Sequence, residues 1–401
     1  MERNSKNPVW TDALVVGAGP AGATAAERLA ANGLRTILIE AEPLPRYKTC
    51  GGGLVPRARA ALPALALSAI EHTCSEAEMR VDGRSLTLRG QAWVSMAMRS
   101  RLDAVLVDAA RLAGAEVLTR CRLQGLERRP GTVLAVTSNG PILTRHLVAA
   151  DGANSTVARL AGWSAPPAGL PALEWELAVT PEQHARHAGI ARFDFDAIPG
   201  GYAWIFPKSS HLSVGILSTH RPATDLRRRL EEYLRGWHFD DAPREEHGFW
   251  IPTRPRRDGF GLGRVLLTGD AAGLADPITA EGISHALISG RLAAEAIVSC
   301  REGDASEEYE RRLRPLLREL SVARMLSKVL YGSPRLRRLL FSGLGDSLIR
   351  AVGTVIAGES TYLRHVLRPS HFPRAVRALL RSRLQRPPVD AVSERSASRG
   401  L

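Results

Sequence analysis

The sequence predicts an α/β fold with three parts: a domain built on a parallel sheet, an antiparallel β-sheet inserted into that domain, and a helical C-terminal region. Three observations support this prediction. A short apolar strand, a glycine-rich turn and an alanine-rich helix follow one another over 12–31. Stretches in which apolar and polar residues alternate occupy 164–254, and leucine-rich amphipathic stretches with many arginines continue from 305.

The composition indicates a large folded protein in a reducing compartment. Of the 401 residues, 44% are hydrophobic and 24% are charged, which excludes the disordered and fibrous classes. The four cysteines, Cys50, Cys74, Cys121 and Cys300, lie far apart and form no C-x-x-C pair. This spacing argues against a structural zinc site and against a disulfide framework. We therefore predict no metal and a cytoplasmic location.

Positive charge is concentrated toward the C-terminus. The whole chain carries +13, and 311–386 contains 17 Arg and Lys against three acidic residues, a local charge of +14. Because no aromatic interleaving or nucleic-acid motif accompanies this charge, we predict no nucleic-acid partner. Basic helical faces can rest on an anionic membrane surface, which would place the protein peripherally on the inner face of the membrane. The alternative is a helical cap over a pocket, with its arginines solvated.

The first forty residues carry a dinucleotide-binding pattern. A buried strand over 12–16 runs into G-x-G-x-x-G at 17–22, and an alanine-rich helix follows over 23–31. A second strand over 35–39 ends at Glu40. Such glycines allow a tight turn, close approach of a pyrophosphate and packing of helix on strand, and the acid accepts hydrogen bonds from a ribose. The predicted contacts are Gly17, Gly19, Pro20, Ala21, Gly22 and Glu40. A glycine-rich turn without a ligand is the alternative.

Two segments in the next part of the chain fit the same kind of ligand. Arg99 opens an amphipathic helix that extends to about 113, and an arginine at a helix start can reach phosphates or a ring edge. A strand over 146–150 delivers Asp151, followed by Gly152. A solvated arginine and a structural Asp-Gly turn are the alternatives.

A later strand and helix repeat this arrangement. The strand over 264–268 ends at Gly269 and Asp270, and an acid at a strand end suits sugar-like hydroxyls. Gly282 and Ile283 then begin a long helix whose N-terminus suits an anionic ring edge. A structural Asp-Gly turn is again the alternative.

Together these segments resemble the three FAD fingerprints of flavoproteins with the p-hydroxybenzoate-hydroxylase-like fold. The resemblance implies a Rossmann-type FAD-binding domain, and FAD is the predicted cofactor. By this resemblance Glu40 would hold the adenosine ribose and Asp270 the ribityl chain. Asp151 would support the pyrophosphate region, and Arg99 would contact the flavin.

Two more stretches are similar to the geranylgeranyl reductase family, and this resemblance covers about 10–300. The run 199–207 matches the family's P-x-x-Y-x-W-x-F-P at every fixed position. The basic loop 46–54 matches its Cys-Gly loop and implies cofactor contacts by Arg46, Cys50, Gly51 and Gly52. The run 269–283 matches its G-D-A-A-G…P-x-T-G-E-G-I motif, except that Ala280 replaces a glycine and adds a methyl near the expected flavin edge.

The resemblance implies a reaction: reduced FAD saturates C=C bonds of a geranylgeranyl or other polyprenyl chain. That chain would belong to a lipid, a quinone, or a prenyl alcohol or diphosphate. Cys50 would tune the flavin or relay a proton; its alternative is a small buried apolar residue. Alternation places Tyr202, Trp204 and Phe206 on one strand face. Spacing alone favours a sheet–helix core for them, whereas the resemblance favours a substrate pocket. The catalytic residues would be Cys50, Tyr202 and Trp204, and the substrate contacts Tyr202, Trp204, Phe206 and Pro207.

The electron donor and the rival functions follow from what the sequence lacks. A second dinucleotide fingerprint is absent, so we predict transient docking of NAD(P)H or a small redox protein as donor. A monooxygenase or halogenase of the same fold is one rival, although the halogenase-type W-x-W-x-I-P run is absent. A flavoprotein that carries electrons to a membrane quinone pool is the other.

The domain boundaries are predicted as follows. The FAD-binding domain comprises 10–75, 99–163 and 255–304, with substrate-sheet strands at 76–98, the substrate-binding sheet at 164–254, a basic helical region at 305–389 and a disordered tail at 390–401.

Overall fold

The computed structural model describes 7–164, 167–219 and 225–366. The predicted tail at 390–401 and the end of the basic region, 367–389, lie outside the described residues. Within the described ranges the strands are β1 (Val9–Val16), β2 (Thr36–Ile39), β3 (Gly53–Leu54), β4 (His72–Val81), β5 (Arg84–Met96), β6 (Glu116–Leu118), β7 (Leu123–Arg129), β8 (Thr132–Thr137), β9 (Gly140–Ala149), β10 (Leu170–Leu177), β11 (Ile190–Asp194), β12 (Gly201–Pro207), β13 (Leu212–Ser218), β14 (Arg244–Ile251), β15 (Gly261–Leu262) and β16 (Val265–Leu267).

The helices lie between and after these strands. Those in the described ranges are α1 (Pro20–Ala31), α2 (Pro56–Ala61), α3 (Arg99–Leu112), α4 (Thr156–Ala161), α5 (Pro181–His187), α6 (Leu226–Gly236), α7 (Gly269–Ala272), α8 (Ile283–Ser299), α9 (Ser306–Gly332), α10 (Pro334–Ile356) and α11 (Tyr362–Val366), with a 3-10 helix over Ala64–Ala69.

The first sheet has the strand order of a dinucleotide-binding domain. Parallel strands run in the order β6-β2-β1-β9-β16, with β15 antiparallel at one edge and the β7–β8 hairpin attached to β9. The central strand β1 is apolar and buried, as expected for a strand covered by helices on both faces. Chain order reverses between β1 and β9, so the segments that follow their carboxyl ends lead away to opposite sides and leave a crevice above the paired strand ends.

The second sheet carries the aromatic strand. Its order is β14-β10-β13-β12-β11-β4-β5-β3, and neighbouring strands are antiparallel except for β4 and β11, which are parallel. The residues at 76–98 enter this sheet through the β4–β5 hairpin. One face packs on α6 through Leu226, Leu230 and Leu234. The other face turns toward the first domain and α10.

The C-terminal helices close over that second face. Gly353 of α10 lies so near β5 that a Cβ there would be 3.0 Å from Leu88 and 3.2 Å from the Trp93 ring. Arg337 Nη2 also binds Asp82 Oδ1 at 2.9 Å, in the turn between β4 and β5. Among the described residues α10 is the one helix long and apolar enough to cross a membrane, with 28% of its most apolar window buried. These contacts make α10 a packed part of this fold.

The predicted fold class is confirmed by this architecture. Two helices of the inserted region, α5 and α6, were not predicted. The i, i+4 spacing of Leu226, Leu230 and Leu234 was the available signal for α6. The region was assigned to a sheet because apolar and polar residues alternate in the neighbouring strands. The i, i+4 leucine pattern of α6 is short by comparison.

Candidate active site

One cavity of about 660 Å³ lies between the first sheet, the second sheet and α10. It is lined by the predicted site residues Gly17, Gly19, Pro20, Ala21, Glu40, Arg46, Cys50, Gly51, Gly52, Arg99, Asp151, Tyr202, Trp204, Phe206, Gly269, Asp270, Gly282 and Ile283. Segments that are far apart in the sequence therefore meet at one place.

Two predicted residues do not line this cavity. Gly22 lies behind the glycine turn, where it serves packing. Pro207 is predicted to contact substrate, and that contact stays a prediction. Strand alternation groups it with Ala203 and Ile205, which pack in the core on the opposite face of the second sheet.

The turn between β1 and α1 has the geometry that a dinucleotide requires. Gly17 has a φ of +100°, and a Cβ there would lie 2.4 Å from the Ala150 carbonyl oxygen. A Cβ at Gly22 would lie 1.9 Å from the Gly17 carbonyl oxygen, so a side chain would push α1 away from the strand. At Gly19 the nearest atom would be an Arg99 nitrogen, at 3.7 Å. The turn is tight beneath and open toward the cavity, where the free N–H groups of α1 can receive phosphates.

Two predicted acids are engaged with the backbone around this turn. Glu40 is buried at the end of β2, and its Oε2 accepts a hydrogen bond from the Ala18 N–H at 2.9 Å. Asp151 accepts from the Ser155 hydroxyl at 2.5 Å and from the Val157 N–H at 3.0 Å. Burial raises the pKa of Asp151, and these hydrogen bonds oppose that rise. Asp151 therefore fixes the start of α4 while it lines the cavity.

A buried carboxylate that was not predicted holds two predicted arginines. Asp103, one turn after Arg99 on α3, accepts hydrogen bonds from Arg99 Nε and Nη2, each at 2.8 Å. Its Oδ2 also accepts from Arg46 Nη1 at 3.1 Å. The Arg46 Nε lies 3.3 Å from Glu40 Oε2. These charge-assisted bonds fix the direction of both guanidinium groups before any ligand arrives. The i, i+4 spacing of Arg99 and Asp103 was the available signal.

A second helix N-terminus reaches the same cavity. A Cβ at Gly290 of α8 would lie 2.1 Å from the Ala21 carbonyl oxygen, so α1 and α8 pack with their backbones in contact. A Cβ at Gly282, just before α8, would lie 3.5 Å from Asp270 Oδ1. Burial raises the pKa of Asp270, and two nearby cations oppose that rise. This carboxylate can accept hydrogen bonds from ligand hydroxyls beside the positive end of the helix dipole.

The predicted aromatic face forms another wall. Tyr202, Trp204 and Phe206 project from β12, with 6.2 Å between the ring centroids of each successive pair. The Trp204 ring occupies space above Gly215 of β13, where a Cβ would lie 2.1 Å from it. The Tyr202 hydroxyl donates to the Thr279 carbonyl oxygen at 2.5 Å. The rings thus pack against one another and also line the cavity.

The Cys50 loop lies directly on this aromatic face. A Cβ at Gly51 would lie 3.0 Å from the Phe206 ring and 3.1 Å from Trp204 Nε1. The Gly52 N–H donates to Cys50 Sγ at 3.4 Å. The cysteine is half-buried and lines the same cavity as Arg99. Two motifs that are distant in the sequence, one at Gly51 and one at 204–206, are therefore in contact.

Three further polar residues of the site were not predicted. Glu174 of β10 and Lys208, which directly follows β12, hydrogen-bond the backbone of the Cys50 loop. Lys48 lines the cavity with its Nζ 2.9 Å from the centroid of the Phe249 ring. Burial, followed by the Arg99 charge, lowers the pKa of Lys48 to about 8. It can therefore exchange a proton near neutral pH. The sequence shows these charged residues in or next to apolar strands. It does not show which groups they contact.

The loop that carries Ala280 is held by the C-terminal helices. Ala280 has a φ of +56°, a region that favours glycine. Asp276 Oδ1 accepts from the Ile278 N–H at 2.8 Å, and its Oδ2 accepts from the Tyr362 hydroxyl at 3.2 Å. The Tyr331 hydroxyl donates to the Ile278 carbonyl oxygen. Helices α9 and α11 thus fix the loop that leads into α8.

Comparison with known proteins agrees with this geometry. A family model described as FAD binding domain matches 10–312. A menaquinone reductase of Mycobacterium tuberculosis is 32% identical over 72% of this chain and 76% of its own length. A chloroplastic geranylgeranyl diphosphate reductase of Oryza sativa is 30% identical over 84% of this chain and 78% of its own length. The crystal structure of a geranylgeranyl bacteriochlorophyll reductase-like protein from Thermoplasma acidophilum matches with a TM-score of 0.72 at 23% identity, over 94% of this chain and 98% of that one. The predicted FAD cofactor is confirmed.

Proposed function

Because the chain belongs to the geranylgeranyl reductase family of FAD-dependent oxidoreductases, we propose that it saturates C=C bonds in a geranylgeranyl or other polyprenyl chain. One observation carries the proposal: the groups that suit FAD and the aromatic face of β12 line the same cavity. Reduced FAD supplies the hydride for one alkene carbon, and a proton must reach the other carbon.

The residues that would hold FAD are those with the matching geometry. The Gly17–Gly22 turn and the α1 N-terminus would receive the pyrophosphate. Glu40 would bind the adenosine ribose, and Asp270 the ribityl hydroxyls. Arg99, fixed by Asp103, would lie beside the flavin ring. The tight turn beneath and the open space above it support this assignment.

The far part of the cavity suits an apolar chain. Its walls there include Met79 and Leu88 of the second sheet and Phe341, Ile349 and Val352 of α10. An isolated trisubstituted alkene accepts a hydride poorly, so water must be kept away from the reacting groups. The packed rings of β12 and the cover of α10 exclude it. The α10 wall of the cavity therefore supports the interpretation of the C-terminal region as a helical cap.

Cys50 is the residue we propose to deliver the proton. It lines the cavity together with Arg99, and the adjoining Gly51 lies against the rings of Trp204 and Phe206. The S–H bond would break as the new C–H bond forms, and the thiolate would regain a proton from solvent. Tyr202 and Trp204 would hold the alkene against the flavin through their ring faces.

A lipid or a quinone is the substrate class that we propose. Family members of the chlorophyll pathway show a Pro-Cys-Gly-Gly-Ala-type loop, whereas this chain has Thr49-Cys50-Gly51-Gly52-Gly53. Such substrates reside in membranes. The exposed residues Arg314, Arg318 and Lys328 share one face of α9, which suits contact with anionic lipid. We therefore extend the proposal to peripheral binding on the cytoplasmic side of a membrane.

The test of the proposed function is an anaerobic incubation of the dithionite-reduced protein with a panel of geranylgeranylated compounds, analysed by mass spectrometry. The panel contains a quinone, a glycerophospholipid ether, a free alcohol and a diphosphate. Dithionite stands in for the NAD(P)H or redox-protein donor. We expect mass gains in steps of two hydrogens, largest for the quinone or the lipid. No gain on any panel member would refute the reductase.

The same assay separates the two rival functions. A monooxygenase or halogenase would leave the panel unchanged without O₂ and consume O₂ rapidly with an aromatic substrate. An electron carrier would reduce the quinone ring and leave every prenyl chain intact. Replacing Tyr202 and Trp204 together would spare the electron carrier and abolish the prenyl reductase.

A further inference from the structure

Two buried charges of opposite sign hold one dipeptide of the Cys50 loop. The Cys50 N–H donates to Glu174 Oε2 at 2.8 Å. Lys208 Nζ donates to the Gly51 carbonyl oxygen at 2.7 Å. The carboxylate thus holds the donor at one end of the Cys50–Gly51 dipeptide, and the ammonium group holds the acceptor at the other end.

Both charges are deep in the protein. Glu174 is 2% exposed and Lys208 is 0% exposed. Burying a charge is costly unless strong hydrogen bonds compensate for the lost hydration. Glu174 Oε1 has a second partner, the Ser213 hydroxyl at 2.6 Å. The remaining bond of each charged group goes to the backbone of this loop, so the compensation depends on the loop being in place.

The loop is shaped to accept this contact. Gly52 has a φ of +66°, and a Cβ there would lie 2.2 Å from Lys208 Nζ. The Lys208 carbonyl oxygen is itself 2.8 Å from His184 Nε2, which fixes the end of β12 on α5. Burial, and then the charge of Glu176, raise the pKa of Glu174, whereas Lys208 and the Cys50 N–H lower it. The carboxylate and its two partners are therefore energetically linked.

We propose that Glu174 and Lys208 are positioning residues, which clamp the Cys50–Gly51 backbone so that the Cys50 thiol faces the flavin and the alkene. Neither side chain is among the catalytic residues assigned above. The proposal rests on the proposed function for the task it gives to Cys50. Its structural content, a loop held closed by two buried charges, stands independently of the substrate.

The experiment measures how fast iodoacetamide alkylates Cys50 in the FAD-loaded protein without substrate, by peptide mass spectrometry at a pH where the rate no longer rises. Cys300, which is half-buried at the end of α8, is the internal reference in the same sample. The variants are Glu174→Gln, Lys208→Met and the charge-balanced double variant. Exposed Glu182→Gln and Arg128→Met are the matched controls. Lys208→Arg tests rescue by a conserved charge.

We expect each single variant to raise the Cys50 alkylation rate about tenfold or more relative to Cys300, because a hydrogen bond to a charged group no longer holds the loop closed. Lys208→Arg keeps the charge, so its rate should lie closer to wild type than that of Lys208→Met. If a single variant does not fold, the double variant, which leaves no unpaired charge, supplies the measurement. Unchanged alkylation in the folded variants would overturn the proposal.

Turnover on the best panel substrate separates this inference from the proposed function. If wild type reduces a prenyl chain, the clamp variants should lose kcat about tenfold with KM within about twofold, since loop order and not substrate binding is altered. If wild type reduces none, the proposed function fails while the alkylation result still decides the clamp. A fall in turnover with unchanged alkylation would also count against the clamp.

Discussion

The two sheets build their parts of the cavity over very different distances along the chain. On the first sheet, the Ala18 N–H and Glu40 are 22 residues apart, and Gly17 and Gly22 belong to one turn. On the second sheet, Cys50 and Glu174 are 124 residues apart, and Gly51 and Lys208 are 157 apart. The part of the cavity around the glycine turn (the cofactor half) is therefore encoded mainly within the first forty residues. The part between the Cys50 loop and the second sheet (the proposed substrate half) forms only when distant segments pack together.

The largest expected effect comes from a substitution in the glycine turn of the cofactor half. Gly22→Ala places a methyl against the Gly17 carbonyl oxygen, where a Cβ would be 1.9 Å away. We expect FAD affinity to fall about a hundredfold, because overpacking of this kind costs a few kcal/mol. Flavin fluorescence titration measures the affinity. Gly303→Ala, at a site where a Cβ meets nothing within 4 Å, is the control. Equal flavin affinity in both variants would contradict the role of the turn.

The next largest effect comes from a substitution of Cys50, where the two halves of the cavity meet. Cys50→Ala should retain FAD and lower kcat for prenyl reduction about a hundredfold, since a positioned proton donor is lost. Single-turnover kinetics of the reduced protein measures the loss, and the visible spectrum measures FAD content. Cys300→Ala is the control and should behave as wild type. Unchanged turnover of Cys50→Ala would remove this cysteine from the mechanism.

A smaller effect sharpens the account of the substrate half. Val352→Phe adds a ring to the α10 wall of the cavity, whereas Ser342→Phe adds one to the exposed side of the same helix. We expect kcat/KM for a geranylgeranyl chain to fall about tenfold relative to a geranyl chain in Val352→Phe, because the pocket is shortened. Ser342→Phe should leave that ratio unchanged. The same ratio in both variants would place the chain elsewhere.

The smallest effect concerns the departure from the family motif. Ala280 has a φ of +56°, so Ala280→Gly should stabilise the protein by about 1 kcal/mol as strain is relieved. Ala188→Gly, at an exposed residue with a φ of −56°, should destabilise it by a similar amount. Denaturant titration of both FAD-loaded proteins measures the signs. Destabilisation by both substitutions would show that Ala280 is not strained.

The limits of prediction follow the same division. The glycine turn, Glu40 and Asp270 could be placed from the sequence, because a strand, a turn and a helix in succession fix their own geometry. Asp103 was within reach, since α3 brings it one turn from Arg99. Glu174 and Lys208 could not be predicted, because no local sequence pattern indicates which loop a buried charged side chain will contact. Pro207 does not line the cavity for a local reason: alternation places it on the strand face opposite the aromatic residues.

The measurement that tests the central claim most directly is anaerobic mixing of the dithionite-reduced protein, freed of excess reductant, with a geranylgeranylated quinone or lipid. Flavin absorbance and product mass are followed in the same sample. If flavin and prenyl chain share the cavity, the flavin should reoxidise without O₂, with two hydrogens gained by the prenyl chain per flavin oxidised. A flavin that stays reduced until air is admitted, with the prenyl chain unchanged, would contradict the account.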